Sequence, residues 1–239
     1  MNAGDVITGP DGRTYLVLGA RPGSSGWVID VEPVKTFDVL LALERMQAPP
    51  PLLAWLRQRP ALSWQEAWNT CERGDLLAWL VARLAGDLGS PAHRRLVGCL
   101  VDVAYALAWP WLHDHDALAE SARRCLDALA LFADGEVVDA RAASEDIRVA
   151  CARVNKAGPG WHAASSVWSA VVLALLALED TRFRSHDYAA DAVRSGAEAA
   201  LAAVDFDARA DAAHSEALRC AAEIVRAHYP TAPEIGGAP

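Results

Sequence analysis

Histidine and aspartate alternate in one short stretch, His113-Asp-His-Asp116, which is the most metal-like cluster in the sequence. Ligands at alternating positions suit a strand. This stretch instead lies between Trp109-Pro-Trp111 and the start of a predicted helix, where an aspartate commonly caps the first turn. It also departs from the His-x-His-x-Asp-His pattern of binuclear hydrolases. We therefore predict a helix cap or a solvated loop, with a metal site at His113 and His115 as the alternative.

A cysteine, an Arg-Gly-Asp triplet and two tryptophans fall together in the window Ala67-Trp-Asn-Thr-Cys-Glu-Arg-Gly-Asp-Leu-Leu-Ala-Trp-Leu80. A nucleophilic Cys71 would need a base within hydrogen-bonding reach, and no histidine in the window supplies one. An adhesive Arg-Gly-Asp would need an exposed loop in a secreted protein. Residues 1–6 lack the basic start of a signal peptide, and no apolar run follows them. We therefore interpret these residues as part of the helical framework and not as a reactive or adhesive site.

Local rules predict a helix, a hinge and a second helix in this window. Ser63-Trp-Gln-Glu66 matches the capping box, so the first helix is expected to begin at Trp64. Gly74 suits the left-handed conformation that ends a helix, and Asp75 suits the cap of the next one. A continuous helix with an interior glycine is the competing interpretation. The side chains expected to face inward are Trp64, Trp68, Cys71, Trp79 and Leu80.

No other motif predicts a cofactor or a reaction. Gly158-Pro-Gly-Trp-His-Ala-Ala-Ser-Ser166 is a glycine-containing stretch that enters a helix, but it lacks the Gly-Lys-Ser/Thr ending of a phosphate loop. A plain turn is expected there. The five cysteines form no Cys-x-x-Cys pair, which argues against a disulfide framework or structural zinc and favours small buried thiols.

Composition and charge narrow the class of partner. A chain of 239 residues with 53% hydrophobic residues can bury a sizeable core, and its longest apolar run, Val167 to Leu178, is too short to span a bilayer. We expect a soluble cytoplasmic protein. The net charge is -9, and residues 111–239 carry 20 acids against 12 bases, compared with 11 against 10 in residues 1–110. Such a distribution argues against a nucleic-acid partner and suits a basic protein.

Turn and periodicity signals predict the order of the elements. Residues 1–34 hold three β-rich runs separated by Gly9-Pro-Asp-Gly12 and Arg21-Pro-Gly-Ser-Ser25, a pattern typical of a meander. Short helices over 37–46 and 52–59 are expected next. A bundle of about seven helices then follows, in which alanine fills many buried positions.

The expected fold is therefore mostly α, an alanine-rich multi-helix bundle with a small N-terminal β-meander. We assign the meander to residues 1–34, docked on a helical domain of residues 35–230, with a flexible tail at 231–239. The near-continuous apolar character of residues 166–178 predicts the central helix of the bundle.

Three features resemble a diverse set of bacterial alanine-rich helical proteins, some of which are labelled as immunity proteins of polymorphic toxin systems. These features are the Ala-Trp-x-x-Cys-x-x-Gly-Asp-x-Leu-x-Trp-Leu run at 67–80, the turn Ala133-Asp-Gly-Glu136, and the ending Cys220-Ala-Ala-Glu-Ile-Val-Arg-Ala-His-Tyr-Pro230. The resemblance covers residues 63–230. It implies a protein that neutralises a cognate toxin by binding it.

The leading hypothesis is a non-catalytic cytoplasmic protein that covers a partner, such as a basic toxin, with an acidic helical face. The candidate contact charges surround one turn and the start of one helix: Asp134, Glu136, Asp139, Glu145 and Asp146. One alternative is a helical enzyme or small-ligand protein with a site between sheet and bundle, using His113, His115 or His162. Another is a structural adaptor with exposed apolar surface around Trp109 and Trp111.

Overall fold

The computed structural model of the protein describes residues 6–8, 14–23, 26–33, 36–60, 62–87, 89–112, 116–151, 159–176, 185–203 and 208–235. These residues are mostly α-helical and include one three-stranded sheet, which confirms the predicted fold class. None of the described helices is both long enough and apolar enough to cross a membrane. The chain divides into two compact units, residues 1–71 with 229–239 and Glu72–His228. The smaller unit thus extends well past the boundary expected after residue 34.

An antiparallel meander begins the smaller unit, as predicted. Its strands pair in sequence order: β1 (Val6–Thr8), β2 (Thr14–Gly23) and β3 (Gly26–Pro33). The pairing slips between Val17 and Gly19, which places a β-bulge in the middle of β2. Strand β2 continues to Gly23, so the turn predicted from Arg21 is shorter than the sequence suggests.

Three short helices follow the sheet in the chain: α1 (Thr36–Arg45), α2 (Pro50–Arg57) and α3 (Trp64–Thr70). The amides of Gln47 and Ala48 donate back to carbonyls in the last turn of α1, at 3.0 and 2.9 Å. This is a Schellman motif, and Gln47 holds its left-handed position with a φ of 59°. Helix α2 begins at Pro50, two residues before the predicted start, because a proline in the first turn lacks only an amide that has no partner there.

Helix α3 begins with the predicted capping box. The Glu66 amide donates to Ser63 Oγ at 3.2 Å, and the Ser63 amide donates to Glu66 Oε2 at 2.8 Å. Trp64, Trp68 and Cys71 then fall on one face, and all three are buried as expected.

The indoles of α3 hold the carboxy-terminal segment of the chain. Trp64 Nε1 donates to the Pro233 carbonyl at 2.9 Å, and Trp68 Nε1 donates to the Tyr229 carbonyl at 3.0 Å. A buried indole N–H needs an acceptor, and this segment supplies it with main-chain oxygens.

The tail therefore begins later than predicted. The Ala232 amide donates to Gln65 Oε1 at 2.9 Å, and the side chains of Ala232 and Ile235 are buried. The expectation of a flexible tail from residue 231 is wrong for residues 231–235. Residues 236–239 lie outside the described part of the chain.

The described part of the larger unit holds seven α-helices: α4 (Gly74–Leu84), α5 (Pro91–Val103), α6 (Asp116–Ala133), α7 (Ala140–Cys151), α8 (Pro159–Leu176), α9 (Ser185–Ala202) and α10 (Ala208–His228). Helix α5 continues through a π-helical turn at Ala104–Ala108 and a 3-10 turn at Trp109–Trp111.

Helix α8 lies at the centre of the larger unit, as its apolar sequence predicted. It packs on α5, the π-helical turn, α6, α7 and α9. Ser166 is buried and donates its hydroxyl to the Ala192 carbonyl of α9 at 2.6 Å. A Cβ on Gly196 would lie 3.1 Å from Leu107 Cβ, so small residues let these helices approach closely.

The predicted role of Gly74 is wrong. Helix α3 ends at Thr70, and Gly74 is the first residue of α4 without a left-handed φ. A Cβ at this position would lie 2.5 Å from Ala221 Cβ and 2.7 Å from the Ala222 amide nitrogen. Gly74 is therefore required by the close approach of α10, and a hinge conformation has no part in it.

The predicted cap at Asp75 is also wrong, since the N-cap position is Arg73 and Asp75 lies in the first turn. The Asp75 carboxylate is 1% exposed and accepts from Arg73 Nε at 2.9 Å and Nη2 at 2.8 Å. Arg194 Nε of α9 lies 3.8 Å away. The Arg-Gly-Asp triplet is thus an internal ion pair with a buried aspartate.

Candidate partner-binding surface

The acidic stretch predicted to contact a partner begins at the end of α6. The Gly135 amide donates to the Phe132 carbonyl at 3.0 Å, and the Glu136 amide donates to the Leu131 carbonyl at 2.9 Å. These bonds form a Schellman motif with Gly135 at its left-handed position, where φ is 97°. Because the motif satisfies the last carbonyls of α6, the chain leaves the helix abruptly and places the side chains of residues 134 and 136 outside.

Two of the predicted contact acids are exposed and available. Asp134 and Glu136 form no ion pair with another described residue. Leu131 is 51% exposed and Val137 is fully exposed, so apolar side chains lie beside these acids in the chain. An apolar centre with a charged rim is the usual composition of a protein interface.

The other three predicted contact acids are engaged within the protein. Asp139 Oδ1 accepts from the Ala142 amide at 2.9 Å and so caps α7. Glu145 accepts from Arg148 Nε at 2.8 Å, and Asp146 accepts from Arg124 Nε of α6 at 3.0 Å.

These ion pairs also shift the ionisation of their members. Hydrogen bonds from Arg148 hold the pKa of Glu145 below its usual value, and the hydrogen bond to Asp146 raises the pKa of Arg124. Exposed pairs contribute little to stability, but they reduce the net field that a partner meets. The free acids at 134 and 136 are therefore the stronger contact candidates.

A groove of about 310 Å³ opens between α7 and α8, and sequence reasoning did not predict it. Its lining among the described residues is Arg148 of α7 with Trp161, Ser165 and Trp168 of α8. The three α8 residues are spaced at i, i+4 and i+7, so they share one helix face. This face was missed because residues 158–166, which include Trp161 and Ser165, were assigned to a turn, whereas α8 begins at Pro159.

One histidine of the second hypothesis lies beside this groove. His162 Nδ1 is 3.1 Å from Glu198 Oε2 of α9, and the His162 ring packs edge-on against Trp161 with centroids 5.1 Å apart. A histidine oriented by a carboxylate is half of a nucleophile-activating arrangement. No described hydroxyl or thiol is hydrogen-bonded to this ring to complete one.

The remaining candidates of the sequence lead to no assembled chemistry in the described residues. His113 and His115 lie outside that part of the chain, and no group of three metal-ligating side chains occurs within it. Trp109 and Trp111, proposed as adaptor surface, are half-buried, and Trp109 packs on Tyr105 with ring centroids 5.8 Å apart.

Four of the five cysteines have described side chains, of which Cys71, Cys99 and Cys125 are buried and Cys220 is half-buried. Burial raises the pKa of Cys99 to about 12, and the carboxylate of Asp102 adds to the effect. Burial likewise raises the pKa of the half-buried Cys220. Raised values keep these thiols protonated, as expected for small packing residues. The Cys151 side chain lies outside the description.

Comparison with protein families, with curated proteins and with solved structures finds no match to this chain. The resemblance to immunity proteins therefore stays a prediction made from the sequence.

Proposed function

We propose that this protein is a non-catalytic, immunity-type binding protein that neutralises a cognate bacterial toxin by direct contact. The observation that carries the proposal is the turn after α6, where Asp134 and Glu136 are exposed and unpaired among described residues beside the exposed Leu131 and Val137. The term immunity-type itself rests on the sequence resemblance.

The apolar residues and the acids of this surface would contribute to binding in different ways. Covering a fully exposed valine contributes about 1.5 kcal/mol or more, because apolar surface leaves water. Asp134 and Glu136 would attract a positively charged partner and raise the rate of encounter. The net charge of -9 acts in the same direction over longer distances.

Co-purification with the product of a neighbouring gene tests the proposal. The wild-type protein should retain that product and protect cells that express it. The double variant Asp134→Arg/Glu136→Arg should lose both properties. The matched control is Glu72→Arg/Asp87→Arg, which makes the same charge change at two exposed acids of the same unit and should behave as the wild type. Failure to retain or be protected from any neighbouring product would remove the proposal.

A small-ligand protein is the second candidate, because the groove volume falls within the range of ligand sites and His162 lies beside it. Elemental analysis of the purified protein for bound metal, and thermal-shift screening of His162→Ala against wild type, test this alternative. A metal or ligand lost in His162→Ala would favour it over toxin binding.

A further inference from the structure

We propose that helix α3 is a recognition site for peptides of the form Pro-x-Ala-Pro, and that the chain's own residues 229–235 fill this site in cis. A partner protein that carries such a segment in a non-helical conformation would bind α3 when residues 229–235 detach. The inference goes beyond the proposed function and does not depend on it. Helix α3 and residues 229–235 belong to the smaller unit, whereas Asp134 and Glu136 belong to the larger one.

Two indoles of α3 bind main-chain oxygens of this segment. Trp64 Nε1 donates to the Pro233 carbonyl at 2.9 Å. Trp68 Nε1 donates to the Tyr229 carbonyl at 3.0 Å. Both tryptophan side chains are buried, and a buried N–H that lacks an acceptor is destabilising. The site therefore requires a segment that supplies carbonyl oxygens at these two positions.

Gln65 adds two more hydrogen bonds to the main chain of the segment. Its Nε2 donates to the Pro230 carbonyl at 3.3 Å, and its Oε1 accepts from the Ala232 amide at 2.9 Å. The same Nε2 donates to Asn69 Oδ1 at 2.9 Å, which fixes the orientation of the Gln65 amide group. A side chain that both donates to and accepts from a main chain selects a segment whose own amides and carbonyls are not already paired within a helix.

Two prolines keep the segment in the conformation that α3 binds. The described residues 229–235 lie outside any helix or strand, with a bend at Thr231. Pro230 and Pro233 each have a fixed φ, and each disfavours a helical conformation in the residue before it. A segment with this spacing of prolines therefore loses less conformational freedom on binding than a segment without them.

The burial of the segment defines which side chains the site accepts. Ala232 is 2% exposed and Ile235 is 6% exposed, whereas Thr231 and Glu234 are exposed. A larger residue at position 232 would overpack the site, but positions 231 and 234 face solvent. The four hydrogen bonds from α3 reach main-chain atoms, so they are available to any peptide with this backbone. The ligand class is therefore Pro-x-Ala-Pro, with an apolar residue two positions after the second proline.

The tether between α3 and its own segment masks the site. A tethered ligand competes as if it were present at an effective concentration on the order of millimolar. A free peptide of the same sequence at micromolar concentration is therefore excluded from the wild-type protein. Weakening the tethered segment should make the site available to the peptide.

A fluorescently labelled peptide with the sequence Tyr-Pro-Thr-Ala-Pro-Glu-Ile of residues 229–235 provides the probe. Two variants of the intact chain release the tethered segment, because Ala232→Arg and Ile235→Arg each place a large charged side chain at a buried position. Fluorescence anisotropy should show that the peptide binds both variants about tenfold or more tightly than it binds the wild type. The same peptide carrying Ala232→Arg should not bind. Circular dichroism establishes that each variant is folded.

A substitution in α3 localises the binding. Combined with Ala232→Arg, Gln65→Met removes two hydrogen bonds to the peptide and should weaken its binding about tenfold. The matched control is Gln58→Met in the same Ala232→Arg background. It makes the same change at an exposed glutamine of the same unit and should bind the peptide as Ala232→Arg alone does.

Three results would overturn the inference. The first is absence of peptide binding to both release variants, or equal binding to wild type and Ala232→Arg. The second is peptide binding that Gln65→Met and Gln58→Met affect alike. The third is a wild-type dimer, measured by light scattering, that Gln65→Met dissociates, because a second copy would then fill the site in place of the segment in cis.

Discussion

Two short stretches, each with a glycine followed by an acid, have opposite roles in this protein. Arg73-Gly-Asp75 lies at the start of α4, and Asp134-Gly-Glu136 follows the end of α6. In the first, the glycine is in contact with α10 and the aspartate is buried against arginine. In the second, the glycine is left-handed and both acids lie exposed. The tertiary contacts differ: Asp75 is paired with Arg73, whereas Arg94 lies against Gly135 and forms no ion pair with Asp134 or Glu136 among the described residues.

The largest effect on stability is expected from Gly74→Ala. A Cβ there would lie within 2.8 Å of the backbone of α10 at Ala221 and Ala222, and backbone cannot move aside cheaply. We expect a loss of about 3 kcal/mol in the free energy of unfolding, measured by urea denaturation. Gly98→Ala is the control, since its nearest neighbour would be 3.4 Å away and helix propensity then favours alanine by up to about 1 kcal/mol. Equal stability of the two variants would contradict the close-contact role of Gly74.

The next effect is expected from Asp75→Ala, with Glu136→Ala as its counterpart. Removing the buried carboxylate leaves Arg73 and Arg194 without it, and both arginines retain access to water, so the cost should be about 2 kcal/mol. The exposed Glu136 should change the free energy of unfolding by less than about 0.5 kcal/mol. Thermal melts of both variants measure the difference in stability. Equal melting temperatures for the two variants would contradict the prediction.

A smaller effect is expected at the left-handed turn residues. Gly135→Ala should cost about 1 kcal/mol, because alanine is strained at a φ of 97°. Gln47→Gly should instead add up to about 1 kcal/mol, since Gln47 already occupies a left-handed position with a φ of 59°. We expect the denaturation midpoint to fall for Gly135→Ala and to rise for Gln47→Gly. Midpoints that move in the same direction for both variants would contradict this prediction.

The smallest effect is expected from Glu145→Gln. Hydrogen bonds from Arg148 lower the pKa of Glu145, so the stabilisation is present above the pKa of the unfolded chain and is lost as pH falls through the folded value. At neutral pH the melting temperature should barely change, because the pair is exposed. The difference in melting temperature between wild type and variant should become smaller still in melts recorded below the usual glutamate pKa. A difference that grows at low pH would have the wrong sign.

Sequence rules succeeded where a feature is set by its immediate neighbours. The capping box at Ser63 and Glu66 and the turn at residues 133–136 follow from short patterns and lie where they were predicted. The apolar helix α8 was also predicted, but it begins at Pro159, within the stretch 158–166 that was expected to be a turn. These features depend on main-chain hydrogen bonds within one turn or on periodicity along one helix.

The same rules failed where distant residues decide. Gly74 is required by its close contact with Ala221 of α10. The carboxy-terminal segment is hydrogen-bonded to Trp64 and Trp68, which are distant in sequence. Trp161 and Ser165 were assigned to a turn and Trp168 to the central helix, so the sequence did not predict that all three share one face of α8. Three of the five contact acids were predicted without their internal partners, which come from capping and from α6 and α7 arginines.

The association rate of the native partner is the sharpest test of a binding surface at the turn after α6. Surface plasmon resonance with the immobilised neighbouring-gene product would compare wild type with Asp134→Arg/Glu136→Arg and Glu72→Arg/Asp87→Arg at low and physiological salt. Only the first double variant should associate about tenfold or more slowly at low salt, with a weaker dependence on salt. Equal association rates for the two double variants would contradict a binding surface at the turn after α6.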